Sequence, residues 1–215
     1  MANTARRQRE IEHARSGIIE AAAKAFSRLG FDKTTIHDIA HEAGYSTTTL
    51  YSYFEGKEEI VDALANAMAE DLDAAFEASL LSNMTFVQRL ELLLTRWVAF
   101  GQRWRDALSI LFAIRSVAKP TTKRQSSLLK NDYFVEKLAL WLRDNATQGE
   151  LGENDPAALA YILSGILHGA NRMWRKEKYE GDPTRIAALA LRIFLYGLSD
   201  PSPASRAKGK STRRS

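Results

Sequence analysis

Apolar positions along this chain recur at intervals of three and four, the period that lays a single stripe down one side of a helix. Ile11, Ala14, Ile18, Ala22, Phe26 and Leu29 form the first such stripe, with Ile19 and Ala23 widening it, and it stops at Gly30, a residue suited to ending a helix. Thr35-x-x-Asp38 has the spacing of a capping box and opens a shorter helix through Ile39, Ala40 and Ala43, which Gly44 ends. Ser46 can cap a third helix carrying Leu50, Tyr51, Tyr53 and Phe54, and Gly56 stops that one.

From Lys57 the predicted helices lengthen, to 57–81, 85–104, 105–118, 125–147, 155–177 and 182–199. The last two are announced by Asp155-Pro156 and Asp182-Pro183, each an acidic N-cap before a proline in the first helical position. The stretches 119–122, 148–154 and 179–181 read as short polar connections, and no segment shows the period-two alternation of a strand. The pattern predicts an all-α chain: a three-helix head over 1–56 with a helix-turn-helix, a six-helix body over 57–199, and a disordered basic tail over 200–215.

The head carries the most specific signal. Where two short helices cross tightly, the first needs a small residue at the crossing and the turn needs one that tolerates a left-handed backbone. Counted from Ile36 as one, Ile39 falls at four, Ala40 at five, Ala43 at eight, Gly44 at nine, Leu50 at fifteen and Tyr53 at eighteen, all as a helix-turn-helix requires. Tyr45, at ten, stands where an aliphatic residue is usual. The outer side of the second helix then presents Ser46, Thr47, Thr48, Thr49, Tyr51 and Ser52. Such hydroxyls at a helix N-terminus suit phosphate oxygens, and threonine methyls can meet thymine methyls. Arg, Asn and Gln are absent from this face, so DNA shape, water and apolar contact are expected to carry much of the specificity.

Composition removes other classes. Apolar residues make up 45% and charged residues 26%, which suits a packed domain and not a disordered chain. With no cysteine there is neither a disulfide framework nor a thiolate metal site. No apolar run has the length of a membrane span and MANTARRQRE lacks the apolar core of a signal peptide, so a cytoplasmic protein without a membrane partner is expected. The net charge of +4 sits almost wholly in residues 200–215. A second basic cluster, Arg6, Arg7 and Arg9 with Arg15 beyond, precedes the first stripe and suggests a flexible arm toward DNA or a frayed end.

The run from Thr34 to Ile60, with Ile39-Ala40, Glu42-Ala43-Gly44-Tyr45-Ser46, Thr49-Leu50-Tyr51, Tyr53-Phe54 and Lys57-Glu58-Glu59 within it, resembles the DNA-binding segment of TetR-family transcriptional regulators, and Phe26, Gly30 and Phe31 fit the helix before it. The resemblance implies a homodimer whose heads enter successive major grooves of a palindromic operator. By position it implies that His37, Thr47, Thr48 and Thr49 read bases and that Thr35, Ser46, Tyr51, Tyr53 and Lys57 hold phosphates. Thr48 departs from the pattern, since a glycine or another small residue is common there.

The resemblance also implies a cavity for a small-molecule effector of unknown identity, bounded by the first four body helices. Trp97, Phe100 and Trp104 share one helix face, and Phe112, Phe134 and Trp141 lie on neighbours; the same spacing suits a plain core. Arg115 and Tyr133, with Gln102 and Arg103, are the candidate polar lining. The last two helices suit dimerisation through Gly165, Gly169, Ala158, Ser164, Ala187, Ala188 and Ala190, with Leu163, Ile166, Leu167, Ile193, Phe194 and Leu198 adding apolar area. His37 and His41 stand at i and i+4, but no third ligand accompanies them, so no metal is expected. No phosphate loop, dinucleotide fingerprint or nucleophile elbow occurs, which leaves neither an enzyme nor a cofactor in view. The expected function is a ligand-responsive repressor. The alternative is a DNA-bound architectural or protein-docking factor of the same fold without an effector.

Overall fold

The computed structural model describes residues 2–80, 83–108, 133–176, 182 and 184–199. The described residues are helical throughout, with no strand: α1 (Ala2–Leu29), α2 (Ile36–Ala43), α3 (Thr47–Tyr51), α4 (Lys57–Ala78), α5 (Phe86–Arg103), α6 (Tyr133–Asn145), α7 (Gln148–Leu151), α8 (Pro156–Lys176) and α9 (Thr184–Ser199). After α5 the helix breaks at Trp104 and resumes over 105–108; the rest of the helix expected to 118 lies outside the described residues, as do 125–132 and the tail 200–215.

The chain divides into two compact units, one of residues 1–77 and 99–134, the other of residues 78–98 and 135–215. The first unit holds α1 to α4. Ala14, Ile18, Ala22 and Phe26 of α1 are buried, as are Ile39 and Ala40 of α2, Leu50 of α3 and Phe54 beyond it. Burying an aliphatic or aromatic side chain contributes about 1.5–3 kcal/mol, so this small shared core is what holds the two short helices α2 and α3 against α1. Ile60, Leu64, Met68 and Leu72 continue it along α4 at intervals of four.

Two sequence expectations change here. The first helix begins at Ala2, ahead of its apolar stripe, so Arg6, Arg7, Arg9 and Arg15 stand on a helix and not on a flexible arm. The reason is local: Arg6 pairs with Glu10 at 2.9 Å and Gln8 donates to Glu12 at 3.1 Å, both one turn apart, in a segment of good helix formers. The connection 148–154 contains α7, whose start is fixed by Thr147 and Glu150, the Glu150 carboxylate accepting from the Thr147 backbone N–H at 2.7 Å.

The second unit is built on α8 and α9, which pack together, and on the first part of α5 and most of α6. Asp155 accepts from the backbone N–H groups of Ala157 and Ala158 at 3.2 Å each, and Asp182 from that of Thr184 at 2.9 Å, the two N-caps the proline motifs predict. Leu90, Leu93 and Leu94 of α5 and Leu138 and Leu142 of α6 are fully buried. The Arg89 guanidinium closes the end of α6, donating to the Asn145 carbonyl at 2.9 Å and to its Oδ1 at 2.8 Å. None of the helices among the described residues is long and apolar enough to cross a membrane.

Candidate functional site

The helix-turn-helix is set by three local devices. Thr35 caps α2: its Oγ1 accepts from the Asp38 N–H at 3.2 Å while the Asp38 carboxylate accepts from the Thr35 N–H at 2.8 Å. The Thr35 hydroxyl and backbone hydrogen bonds hold the Asp38 carboxyl below its ordinary pKa of 3.8. Gly44 then adopts φ 73°, a left-handed turn that only glycine enters without strain, and α2 stops. Ser46 caps α3, its Oγ accepting from the Thr49 N–H at 3.0 Å.

α3 is short, Thr47–Tyr51, and Leu50 is its buried anchor. Around that anchor the expected DNA-binding residues reach the surface: Thr35, His37, Ser46, Thr48 and Tyr51 are exposed, and Thr47, Thr49, Tyr53 and Lys57 are half-buried. Their polar tips fall into two groups. Thr35 donates its hydroxyl to Asp38 at 2.6 Å, Ser46 and Thr49 hydrogen-bond each other at 2.8 Å, and the Lys57 ammonium donates to the Phe31 carbonyl at 3.0 Å and lies 4.7 Å from the Phe31 ring centre. His37, Thr47, Thr48, Tyr51 and Tyr53 carry side-chain polar atoms with no hydrogen-bond partner among the described residues. Tyr53 packs its ring 6.3 Å from that of Tyr45, so the unusual tenth position of the motif serves as a wall for Tyr53. His37 and His41 stay apart from any third ligand: the described residues include no cluster of three groups able to hold a metal.

One residue of the head escaped the sequence. Arg15 donates to the Tyr53 carbonyl, lies 3.3 Å from the Glu59 carboxylate and places its guanidinium 4.0 Å from the centre of the Phe54 ring. It pins the end of α3 and the start of α4 to α1. The sequence suggested it for the DNA arm; its charge is instead engaged inside the head, through contacts 38 and 44 residues away that no local pattern encodes.

Comparison with known proteins now adds to this geometry. Residues 18–64, which span α1 to the first part of α4, match the bacterial regulatory proteins of the tetR family. Over those residues the chain carries the TetR-family sequence. It is 28% identical over 178 residues to the HTH-type transcriptional regulator TtgR of Pseudomonas putida, covering 79% of this chain and 83% of that one. Its fold is that of SmeT, the repressor of the Stenotrophomonas maltophilia multidrug efflux pump SmeDEF, with a TM-score of 0.64 at 22% identity over 88% of this chain and 97% of that one. It is also that of the transcriptional regulator FadR from Bacillus subtilis, seen in complex with stearoyl-CoA, with a TM-score of 0.65 at 18% identity over 85% and 98% of the two chains. The segment 18–64 is therefore that of a DNA-binding transcriptional regulator, on a chain that is helical in head and body among the described residues.

The residues expected around an effector divide between the two units. In the first, Trp104 donates its indole N–H to Asp71 of α4 at 2.8 Å, the Tyr133 hydroxyl donates to Asp73 of α4 at 2.7 Å, and the Phe134 ring lies 5.8 Å from that of Phe76, also on α4. Phe100 is buried in the same unit. Arg103 reaches Asp71 at 3.4 Å and Glu20 of α1 at 3.8 Å, with its guanidinium over Trp104. In the second unit Trp97 meets His168 edge-on at 5.9 Å and Trp141 packs 5.7 Å from Phe86. Phe112 and Arg115 lie outside the described residues. A cleft of about 160 Å³ in the first unit is lined by Glu20, Ala23, Lys24, Arg103, Trp104, Asp106 and Ala107, of which Trp104 and Arg103 were expected around an effector.

The helices expected to pair two protomers sort themselves by burial. Leu163, Ser164, Leu167, Ala187, Ala190 and Phe194 turn inward, and the side chain of Leu198 lies outside the described residues. Ile162, Gly165, Gly169 and Met173 leave an exposed stripe on α8, beside Tyr161, and Ala188, Leu189 and Ile193 are exposed on α9. Nothing lies within 4 Å of a Cβ built on Gly165 or Gly169, so a second helix backbone can approach there.

Proposed function

We propose that this chain is a dimeric, ligand-responsive repressor that binds a palindromic operator and leaves it when a small molecule occupies the body. The observation that carries the reading is the surface of α3: unpartnered hydroxyls on a short, doubly capped helix that the head core and Arg15 hold rigid. In this reading Thr47, Thr48 and His37 meet base edges, and Tyr51 and Tyr53 hold phosphates. Thr35, Ser46 and Thr49 act chiefly by capping, leaving their oxygens at helix N-termini where an anion is favoured. Lys57 keeps two ammonium protons for phosphate after donating one to Phe31.

Two protomers join through the exposed apolar face of α8 and α9, which sets the two α3 helices about 34–36 Å apart for successive major grooves. The effector acts on α4, because Trp104, Tyr133 and Phe134 hold its C-terminal third by two hydrogen bonds and a ring contact while its first residue, Lys57, is tied to Phe31 of the head. A ligand that alters those contacts binds the two positions of α4 with different affinity, and that difference is what shifts the population off the operator. Efflux-pump control in SmeT and acyl-CoA binding in FadR are precedents for the fold's two roles. The protein works in the cytoplasm, where its operator is.

The test is a mobility-shift assay at low salt on the DNA upstream of its own and neighbouring genes, repeated with a panel of apolar metabolites. A shift that one metabolite class reverses is the expected result. Failure to shift any of these fragments defeats the repressor reading, and a shift that no metabolite changes favours the factor without an effector.

A further inference from the structure

Residues 4–10 of α1 run clear of the core that the helix joins later. Residues 4–10 are all exposed, Ile11 is half-buried, and Ala14 is the first buried position. At about 100° per residue, Arg7 lies within roughly 40° of Ile11, Ala14 and Ile18 around the helix. Arg7 is thus on the side of α1 that packs against the head, but about 10 Å beyond its last buried residue along the axis. What that end of the head offers is marked by Arg15, which touches Tyr53, Phe54 and Glu59. The overhang therefore starts where α3 ends.

Its charges are not equivalent. Arg6 is taken by Glu10, and Glu12 accepts from Gln8, so both carboxylates of the overhang are engaged. Arg9 projects from the opposite side of the helix to Arg7. Arg7 has no ion pair or hydrogen bond among the described residues.

We propose that the overhang of α1 is a rigid phosphate-binding arm, with Arg7 gripping the duplex backbone outside the half-site that α3 enters. The inference rests on the DNA-binding reading above and extends it. Tyr51 and Tyr53 form the phosphate edge at the end of α3, and Arg7 prolongs that edge outward. A guanidinium suits the task, since its planar fork meets a phosphate with two hydrogen bonds. Such a contact adds affinity and register without reading sequence.

The experiment measures binding of the full-length protein to a selected operator and to a mixed-sequence 40-base-pair duplex, across a range of salt. Each phosphate contact contributes about 0.9 to the slope of log affinity against log salt, so with two arms per dimer Arg7→Ala should flatten that slope by about 1.8. The flattening should be the same on both duplexes, Arg7→Lys should keep the wild-type slope, and Arg9→Ala should keep it too. The thermal melt of Arg7→Ala should match wild type, because Arg7 has no internal partner to lose. An unchanged slope for a folded Arg7→Ala overturns the arm while leaving the DNA-binding reading intact. Equal flattening by Arg9→Ala overturns it as well, since net charge alone would then account for the effect. A wild-type protein that binds neither duplex defeats the DNA-binding reading, and the arm with it.

Discussion

Trp104 donates its indole Nε1–H to the carboxylate of Asp71 at 2.8 Å, joining the break after α5 to the C-terminal third of α4. A hydrogen bond to a charged acceptor is worth about 1.5–3 kcal/mol, and this one is partly shielded from water. Trp104→Phe removes the donor and also part of the buried indole, so it should lower the free energy of unfolding in urea by at least about 1.5 kcal/mol at an unchanged m-value. If this bond also relays the effector signal, the same variant should bind operator and lose most of its response to ligand.

The capping box of α2 should make the head acid-sensitive. Asp38 has its pKa lowered by the Thr35 hydrogen bonds, so below its ordinary value of 3.8 the unfolded chain takes up the proton first. Its stabilisation is complete above that value and disappears as pH falls through the lower folded one. Chemical denaturation of wild type and Asp38→Asn from pH 6 down to about pH 2 should therefore show a gap that closes in the acid limb.

The hydroxyls around α3 should separate by role. Tyr51 is 57% exposed, so Tyr51→Phe should leave stability unchanged and weaken DNA binding alike on every sequence. Thr47→Ala should alter preference at one base position. Ser46→Ala should cost about 1 kcal/mol of stability through loss of the cap, and its effect on DNA should follow from that loss. Melting curves beside titrations on operator point-variants distinguish the three; equal behaviour of all three would show the roles to be misassigned.

Ile162 is 57% exposed in the protomer, at the N-terminal end of the stripe that α8 presents with Gly165, Gly169 and Met173. Ile162→Glu should leave the protomer folded, as judged by circular dichroism, and shift the sedimentation profile from dimer to monomer. Operator affinity should fall by orders of magnitude with it, because a single head has only one half-site to hold.

Much of the head was legible because its signals are local. The Thr35–Asp38 box, the Gly44 turn and the Ser46 cap lie within a few residues of the atoms they bind. The proline-marked starts of α8 and α9 were legible for the same reason. α7 could have been read by that rule, since Thr147-x-x-Glu150 repeats the spacing of Thr35-x-x-Asp38. The contacts of Arg15, Trp104 and Tyr133 could not: each reaches a partner 33 or more residues away, so no local pattern says that the arginine braces the head or that aromatics weighed as pocket or core brace α4. The face proposed for dimerisation was only half legible, because helical period separates a buried from an exposed stripe without saying which is which when both are apolar.

Sequencing the duplexes that the purified protein retains from a randomised pool tests the central claim most directly. The account predicts an inverted repeat whose half-site centres lie about 10 base pairs apart, one turn of the duplex. Enrichment of no common sequence, or of a single unrepeated site, would contradict it.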